Sequence, residues 1–363
     1  MILFAGGRSY ALSPKDISAK SAVLIEQKTG KIIFAKNENE RLPMASTTKI
    51  MTALIALENI PDMSSKIKIP ESAAKTEGSS MYLQAGEIMS YLDLLYGLLL
   101  VSGNDAAAAL SQSVFESEEI FIAKMNGKAA ALGLQNTNFT NPSGLPDDNH
   151  YTTALELGLI TKEAYNNPVF EAIASTKKYR ASLGEKPGAR YLTNHNRLLD
   201  IYPYAIGVKT GFTKTAGRCL VSAGYKDGVK LIAVTINAPD DWDDHVKMLD
   251  YGFDSTALKE YVVPGQSICT TGVTGGVSDT VTAANTGAVL LPGFDDIDYD
   301  IKACLPGFVY APVKKGDVLG SLNTYYMGQI IDSAPLTAQH DVEARIMSPK
   351  KKPLIQKIIE FFI

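Results

Sequence analysis

Ser90–Val101 reads SYLDLLYGLLLV and is apolar nearly all round. As a helix it has no face to offer to water, so it must run through a core and be covered on every side. The flanking sequence supplies that cover. Ile50, Ala53, Leu54 and Leu57 recur at helical spacing behind Ser46 and stop at Asn59-Ile60-Pro61. Helical patterns also fill Ala106–Val114, with Asp105 placed to cap it, and Phe121–Leu134, Thr153–Tyr165 and Val246–Phe253. Strand-like runs occupy Ser21–Gln27 and Lys31–Lys36, joined across Lys28-Thr29-Gly30. Others are Ile206–Thr210, Arg218–Gly224 and Lys230–Asn237, the last two joined by Lys226-Asp227-Gly228. Ile67–Ala85 reads as an irregular excursion and Asn141–His150 as a turn-rich loop. The expectation is an α/β (α+β) fold, a helical core packed with an antiparallel sheet.

The period changes after about residue 257. From Tyr261 to Ile346 the chain has short β-rich runs with Gly and Pro turns and no helical repeat, the pattern of a small all-β sandwich or barrel. At 363 residues there is room for two domains. The expected organisation is a first domain at 19–257, a β-sandwich domain at 261–347 and a basic amphipathic tail at 348–363. In that tail Lys350, Lys351 and Lys352 precede Leu354, Ile355, Ile358, Ile359 and Phe362, which share one helical face. Ten residues cannot cross hydrocarbon that needs about twenty, so the tail is expected to lie in a membrane interface. No apolar run is long enough to span a bilayer, and the first eight residues are too short for a signal peptide. A net charge of −4 gives no footprint for nucleic acid. Cys219, Cys269 and Cys304 are scattered without CxxC or His pairing, which argues against a metal site or disulfide scaffold and for three packed thiols.

The chemistry centres on Ser46-Thr47-Thr48-Lys49. Positions three apart share a helical face, so the Ser46 hydroxyl and the Lys49 amine can come within hydrogen-bond reach. A hydroxyl becomes a nucleophile when a neighbouring base takes its proton, and a lysine is such a base once burial or another cation holds it neutral. The spacing alone says little, because it recurs at Ser65/Lys68, Ser72/Lys75, Ser175/Lys178 and Ser348/Lys351. Ser102-Gly103-Asn104 and Lys209-Thr210-Gly211 single out the first pair.

These three elements, in this order, resemble those of the serine penicillin-recognising enzymes, and most closely the low-molecular-mass D-alanyl-D-alanine carboxypeptidases. The surrounding text carries the likeness: PMASTTKIMTALIALE, DLLYGLLLVSGNDAAAAL, MNGKAAALGLQNTNFTNPSGLP and IGVKTGFTKTAGRCLVSA, with APVKKGDVLGSL in the β-rich region. The resemblance implies a penicillin-binding/β-lactamase-like transpeptidase domain whose serine attacks the bond between two D-alanines of a peptidoglycan stem peptide. It implies an acyl-enzyme that water hydrolyses, acylation by β-lactams, no cofactor, and a place at the outer face of the cytoplasmic membrane. Here the signal peptide would be missing or truncated. Ser46 is then the nucleophile and Lys49 the base. Ser102 relays a proton to the leaving amine, and Asn104 holds both Lys49 and the substrate amide. Lys209 lowers the Lys49 pKa and attracts the substrate carboxylate, Thr210 donates to that carboxylate, and Gly211 admits the substrate backbone. Phe212 contributes an oxyanion-hole N–H, and Thr213 continues the binding strand. Some family members carry a histidine after the third motif and an arginine shortly before the closing helix. Here those places hold Phe212 and the Asp240-Asp241-Trp242 region. A D,D-endopeptidase, a β-lactamase and a penicillin sensor without turnover are the competing readings.

Overall fold

The computed structural model describes residues 12–184 and 186–346; the predicted tail and the N-terminal segment lie outside them. The chain divides into two compact units, 1–257 and 258–363.

The first unit opens with a hairpin, β1 (Ser21–Glu26) and β2 (Ile32–Lys36), then a 3-10 turn at Ala45–Thr48 that runs into α1 (Lys49–Asn59). β3 (Lys66–Lys68), α2 (Glu71–Ala74) and β4 (Ile88–Ser90) frame the irregular excursion, and α3 (Tyr91–Leu100), α4 (Asn104–Val114) and α5 (Glu118–Ala131) follow. After the turn-rich loop come α6 (Ala154–Ala164), α7 (Pro168–Ala174), a hairpin of β5 (Lys178–Leu183) and β6 (Lys186–Thr193), and a short α8 (Leu198–Ile201). β7 (Ala205–Thr213), β8 (Gly217–Lys226) and β9 (Val229–Ile236) precede α9 (Asp241–Ser255).

The main sheet is antiparallel in the order β2-β1-β9-β8-β7, so the chain's first strands pair with a late one and β7 is left at an edge. Helices cover both faces of it. Gly158 of α6 sits against Val23, Ile25 and Val234, while Gly252 of α9 sits against Leu24 and Leu231. Adjacent residues of β1 therefore meet different helices. This is why β1 and β9 are buried almost throughout instead of alternating. α3 is the covered helix expected of it: Leu94, Leu95, Leu98, Leu99 and Leu100 are buried, and the Ser90 side chain caps it by accepting from the Asp93 N–H.

Two local expectations change, and one hairpin was not anticipated. Asp105 does not cap α4. Gly103 takes that position, and the Asp105 carboxylate instead accepts from Ser80 Oγ and from the Met81 and Leu83 N–H groups. It thereby fastens the excursion onto α4. The β5–β6 hairpin has no apolar run to announce it, because most of its first strand faces solvent. Of the three free thiols, Cys219 is packed, Cys269 is half-buried and Cys304 is exposed.

The second unit is all-β among its described residues. Six strands run in the order β14 (Asp300–Cys304), β16 (Val318–Tyr326), β17 (Gln329–Ala338), β12 (Thr280–Asn285), β11 (Ser267–Thr274), β15 (Phe308–Tyr310). A separate pair joins β10 (Ala257–Val262) to β13 (Val289–Gly293). Val281, Leu291, Leu322, Leu336 and Val342 form its own core.

Candidate active site

Ser46 lies in the 3-10 turn, whose leading N–H groups have no partner within the turn, and Lys49 opens α1. The Lys49 Nζ is 3.0 Å from Ser46 Oγ, 2.7 Å from Asn104 Oδ1 and 2.6 Å from the Ser143 carbonyl oxygen. Lys49 is wholly buried. Burial, and then the charge of Lys209, pull its pKa well below the ordinary lysine value, against a smaller upward pull from Asp105. The geometry suits a neutral amine. Asn104 Oδ1 and the Ser143 carbonyl can only accept, so two N–H bonds point at them and the lone pair is left facing the Ser46 hydroxyl.

Ser143 reaches Lys49 because Asn141 Oδ1 gathers the N–H groups of Ser143, Gly144 and Leu145, at 3.2, 2.7 and 3.1 Å. That closes the turn-rich loop against the helix start. Gly144 has φ 84°, and a Cβ there would fall 1.9 Å from the Ala45 carbonyl oxygen.

Ser102 stands at the junction of α3 and α4 with φ 60°, a left-handed conformation uncommon for serine. Asn104 begins α4. Its Nδ2 donates one of its two hydrogens to the Glu77 carbonyl oxygen at 2.7 Å. β7 supplies the third element. Lys209 is 1% exposed and its Nζ donates to the Thr210 carbonyl oxygen at 2.8 Å. Burial alone brings its pKa down to about 7. A Cβ on Gly211 would sit 3.0 Å from the Ser46 nitrogen and 3.1 Å from that of Thr47. The missing side chain makes room for the 3-10 turn.

Ser46, Ser102, Thr210, Gly211 and Phe212 line one cleft of about 340 Å³, and β7, which carries the last three, is an edge strand of the main sheet. Thr213 is not among its walls. That hydroxyl accepts from the Ala216 N–H at 2.9 Å, and the residue faces a neighbouring hollow beside His150. Among the described residues no cluster of His, Cys, Asp or Glu could hold a metal.

A family model described as D-alanyl-D-alanine carboxypeptidase matches residues 8–240. The chain belongs to that family. A second model, described as the C-terminal domain of penicillin-binding protein 5, matches residues 258–344, which makes the chain a low-molecular-mass penicillin-binding protein. D-alanyl-D-alanine carboxypeptidase DacF of Bacillus subtilis is 36% identical over 339 residues, covering 90% of this chain and 86% of that one. The solved penicillin-binding protein 5 of Haemophilus influenzae aligns with 92% of this chain and all of its own, at 28% identity and a TM-score of 0.65. The Streptomyces K15 DD-transpeptidase aligns over 66% of this chain and 98% of its own, at 33% identity and a TM-score of 0.62.

In this carboxypeptidase-family cleft the sequence reading left three neighbours out. Ser79, His195 and Arg218 also line it, and Asp241 and Trp242 were noted only as the place of a missing arginine. Arg218 was legible in principle. Once Thr213 and Gly217 close the β7–β8 turn, register puts Arg218 opposite Phe212.

Proposed function

We propose that this carboxypeptidase-family chain removes the terminal D-alanine of peptidoglycan stem peptides through an acyl-enzyme on Ser46. The observation that carries the reading is the buried Lys49 amine 3.0 Å from the Ser46 hydroxyl, with its other hydrogens committed to Asn104 and Ser143. Lys49 takes the Ser46 proton as Oγ bonds to the carbonyl carbon of the penultimate D-alanine. The oxyanion is met by the N–H groups of Ser46, in the 3-10 turn, and Phe212, on β7. As the C–N bond breaks, the leaving amine takes a proton from Lys49, relayed by the Ser102 hydroxyl, and free D-alanine departs. Water then attacks the ester carbonyl, its proton passes to the Lys49 amine, and as the C–O bond to Ser46 breaks Lys49 returns a proton to the Ser46 oxygen and the acid is released. β-Lactams enter by the same attack. The free edge of β7 lets an extended peptide pair as an added strand.

The tail at 348–363 lies outside the described residues, and its sequence supports attachment to an anionic membrane surface, with the enzyme working on the outer side. Among the described residues no helix is long and apolar enough to cross a membrane.

Benzylpenicillin should add one adduct to the intact mass, mapping to Ser46. Ser46→Ala should lose both the adduct and the release of D-alanine from a peptide ending in D-Ala-D-Ala. A stable adduct without repeated D-alanine release would mean a sensor. An adduct that persists in Ser46→Ala removes Ser46 as the nucleophile.

A further inference from the structure

A carboxypeptidase must hold a free terminal carboxylate, and the family resemblance implies Lys209 and Thr210 for that task. In the structure the Lys209 Nζ donates one hydrogen bond to the Thr210 carbonyl and is almost wholly covered. His195 also reaches the cleft, but burial and then the charge of Lys209 lower its pKa, so at neutral pH it carries no dependable charge. Of the cations lining the cleft, the one both exposed and charged at every working pH is Arg218, whose side chain is 44% exposed.

Arg218 is also aimed. Its Nε and Nη2 donate to Oδ1 of Asp241 at 3.0 and 2.7 Å, and Asp241 is itself buried at the start of α9. The guanidinium carbon lies 5.7 Å from the centre of the Trp242 ring. These contacts use one edge of the guanidinium. Both Nη1 hydrogens and the second Nη2 hydrogen stay available, and a pair of N–H groups side by side is what a carboxylate accepts. Paired across from Phe212, the group stands beside the segment of β7 that carries Thr210.

We infer that Arg218, oriented by Asp241 and Trp242, binds the terminal carboxylate of the substrate. Arg218 is thus a binding residue and Asp241 a positioning residue. The inference rests on the carboxypeptidase reading above and fixes which end of the cleft takes the departing D-alanine: the end of β8 and the start of α9.

The test compares a peptide ending in D-Ala-D-Ala with its C-terminal carboxamide on the full chain, reading kcat/KM for each. The wild type should favour the acid. Arg218→Gln should lower kcat/KM for the acid by about 10- to 100-fold, the size of a charge-assisted hydrogen-bond loss, and bring the acid-to-amide ratio close to one. Arg218→Lys keeps the charge without the fork and should keep an intermediate ratio, which preserves the test if the glutamine variant folds poorly. Asp241→Asn should raise KM for the acid with little change in kcat, where a purely structural loss would lower kcat on both peptides. An acid-to-amide ratio that stays at the wild-type value in Arg218→Gln, or in Arg218→Lys, overturns the inference. Failure of the Ser46 assignment would look different: Ser46→Ala would still turn over both peptides, with the ratio set by Arg218 intact.

Discussion

At the scale of single residues, the proposed chemistry depends on keeping one buried amine uncharged, and two lysines divide that work. Lys49→Arg preserves charge and length but cannot give up a proton near neutral pH, so acylation by benzylpenicillin should fall about 100- to 10,000-fold. Lys209→Met removes the charge that helps depress the Lys49 pKa. The sign follows from which form reacts. Acylation needs neutral Lys49, so its rate climbs as pH rises through the Lys49 pKa. Losing Lys209 raises that pKa and should move the acid limb of the pH–rate profile to higher pH. Stopped-flow acylation across pH checks both variants, and an unmoved limb in Lys209→Met would refute the electrostatic role. Ser46, Lys49, Ser102 and Asn104 were legible because the chemistry demands those residue types at short spacings. The Ser143 carbonyl was not, since a backbone oxygen leaves no mark in sequence. The placement of Arg218 depends on strand register, and the intramolecular partners of Asn104 Nδ2 and Lys209 Nζ depend on which group lies nearer in three dimensions.

Elements were readable where burial writes a pattern. The hairpin of β1 and β2, the strands β7 to β9, the covered helix α3 and the Thr153-capped α6 all follow from apolar runs bounded by turn or cap residues. The β5–β6 hairpin and the role of Asp105 did not, because a solvent-facing strand and a carboxylate that ties down a distant loop share their local sequence with ordinary surface. The turn-rich loop between α5 and α6 is the element on which the site leans most. Gly144 makes this testable, since its positive φ and contact with the Ala45 carbonyl leave no place for a methyl group. Gly144→Ala should cost about 1–3 kcal/mol of stability through backbone strain and displacement. It should also slow acylation by pulling the Ser143 carbonyl away from Lys49. Thermal melts and penicillin acylation read the two effects separately. A variant with wild-type acylation would show that Lys49 does not need the loop's carbonyl.

For the whole molecule, the question is which part of the chain does which job. The first unit carries its own core around α1, α3, α4 and the main sheet, and all the cleft residues belong to it. The Streptomyces K15 DD-transpeptidase is matched over 98% of its length by 66% of this chain, so a relative of that size folds without a counterpart to the β-rich unit. The change of period after about residue 257 gave this division in outline, though a turn-bounded β pattern cannot tell which strands pair. β11 runs parallel to β15 in a sheet otherwise antiparallel, a choice set by packing in space. Two truncations separate catalysis from attachment. A chain ending at residue 257 should fold cooperatively and keep turning over D-Ala-D-Ala peptides in solution. A chain ending at residue 347 should keep that turnover too, but lose co-sedimentation with vesicles containing anionic lipid. The full chain should bind those vesicles, and binding should weaken as salt rises, because each lysine of Lys350-Lys351-Lys352 adds about 1 kcal/mol that ions screen. If the chain ending at 347 still sediments with the vesicles, attachment lies elsewhere in the protein. If the chain ending at 257 unfolds or loses turnover, the β-rich unit supports the catalytic one and is more than a spacer to the membrane.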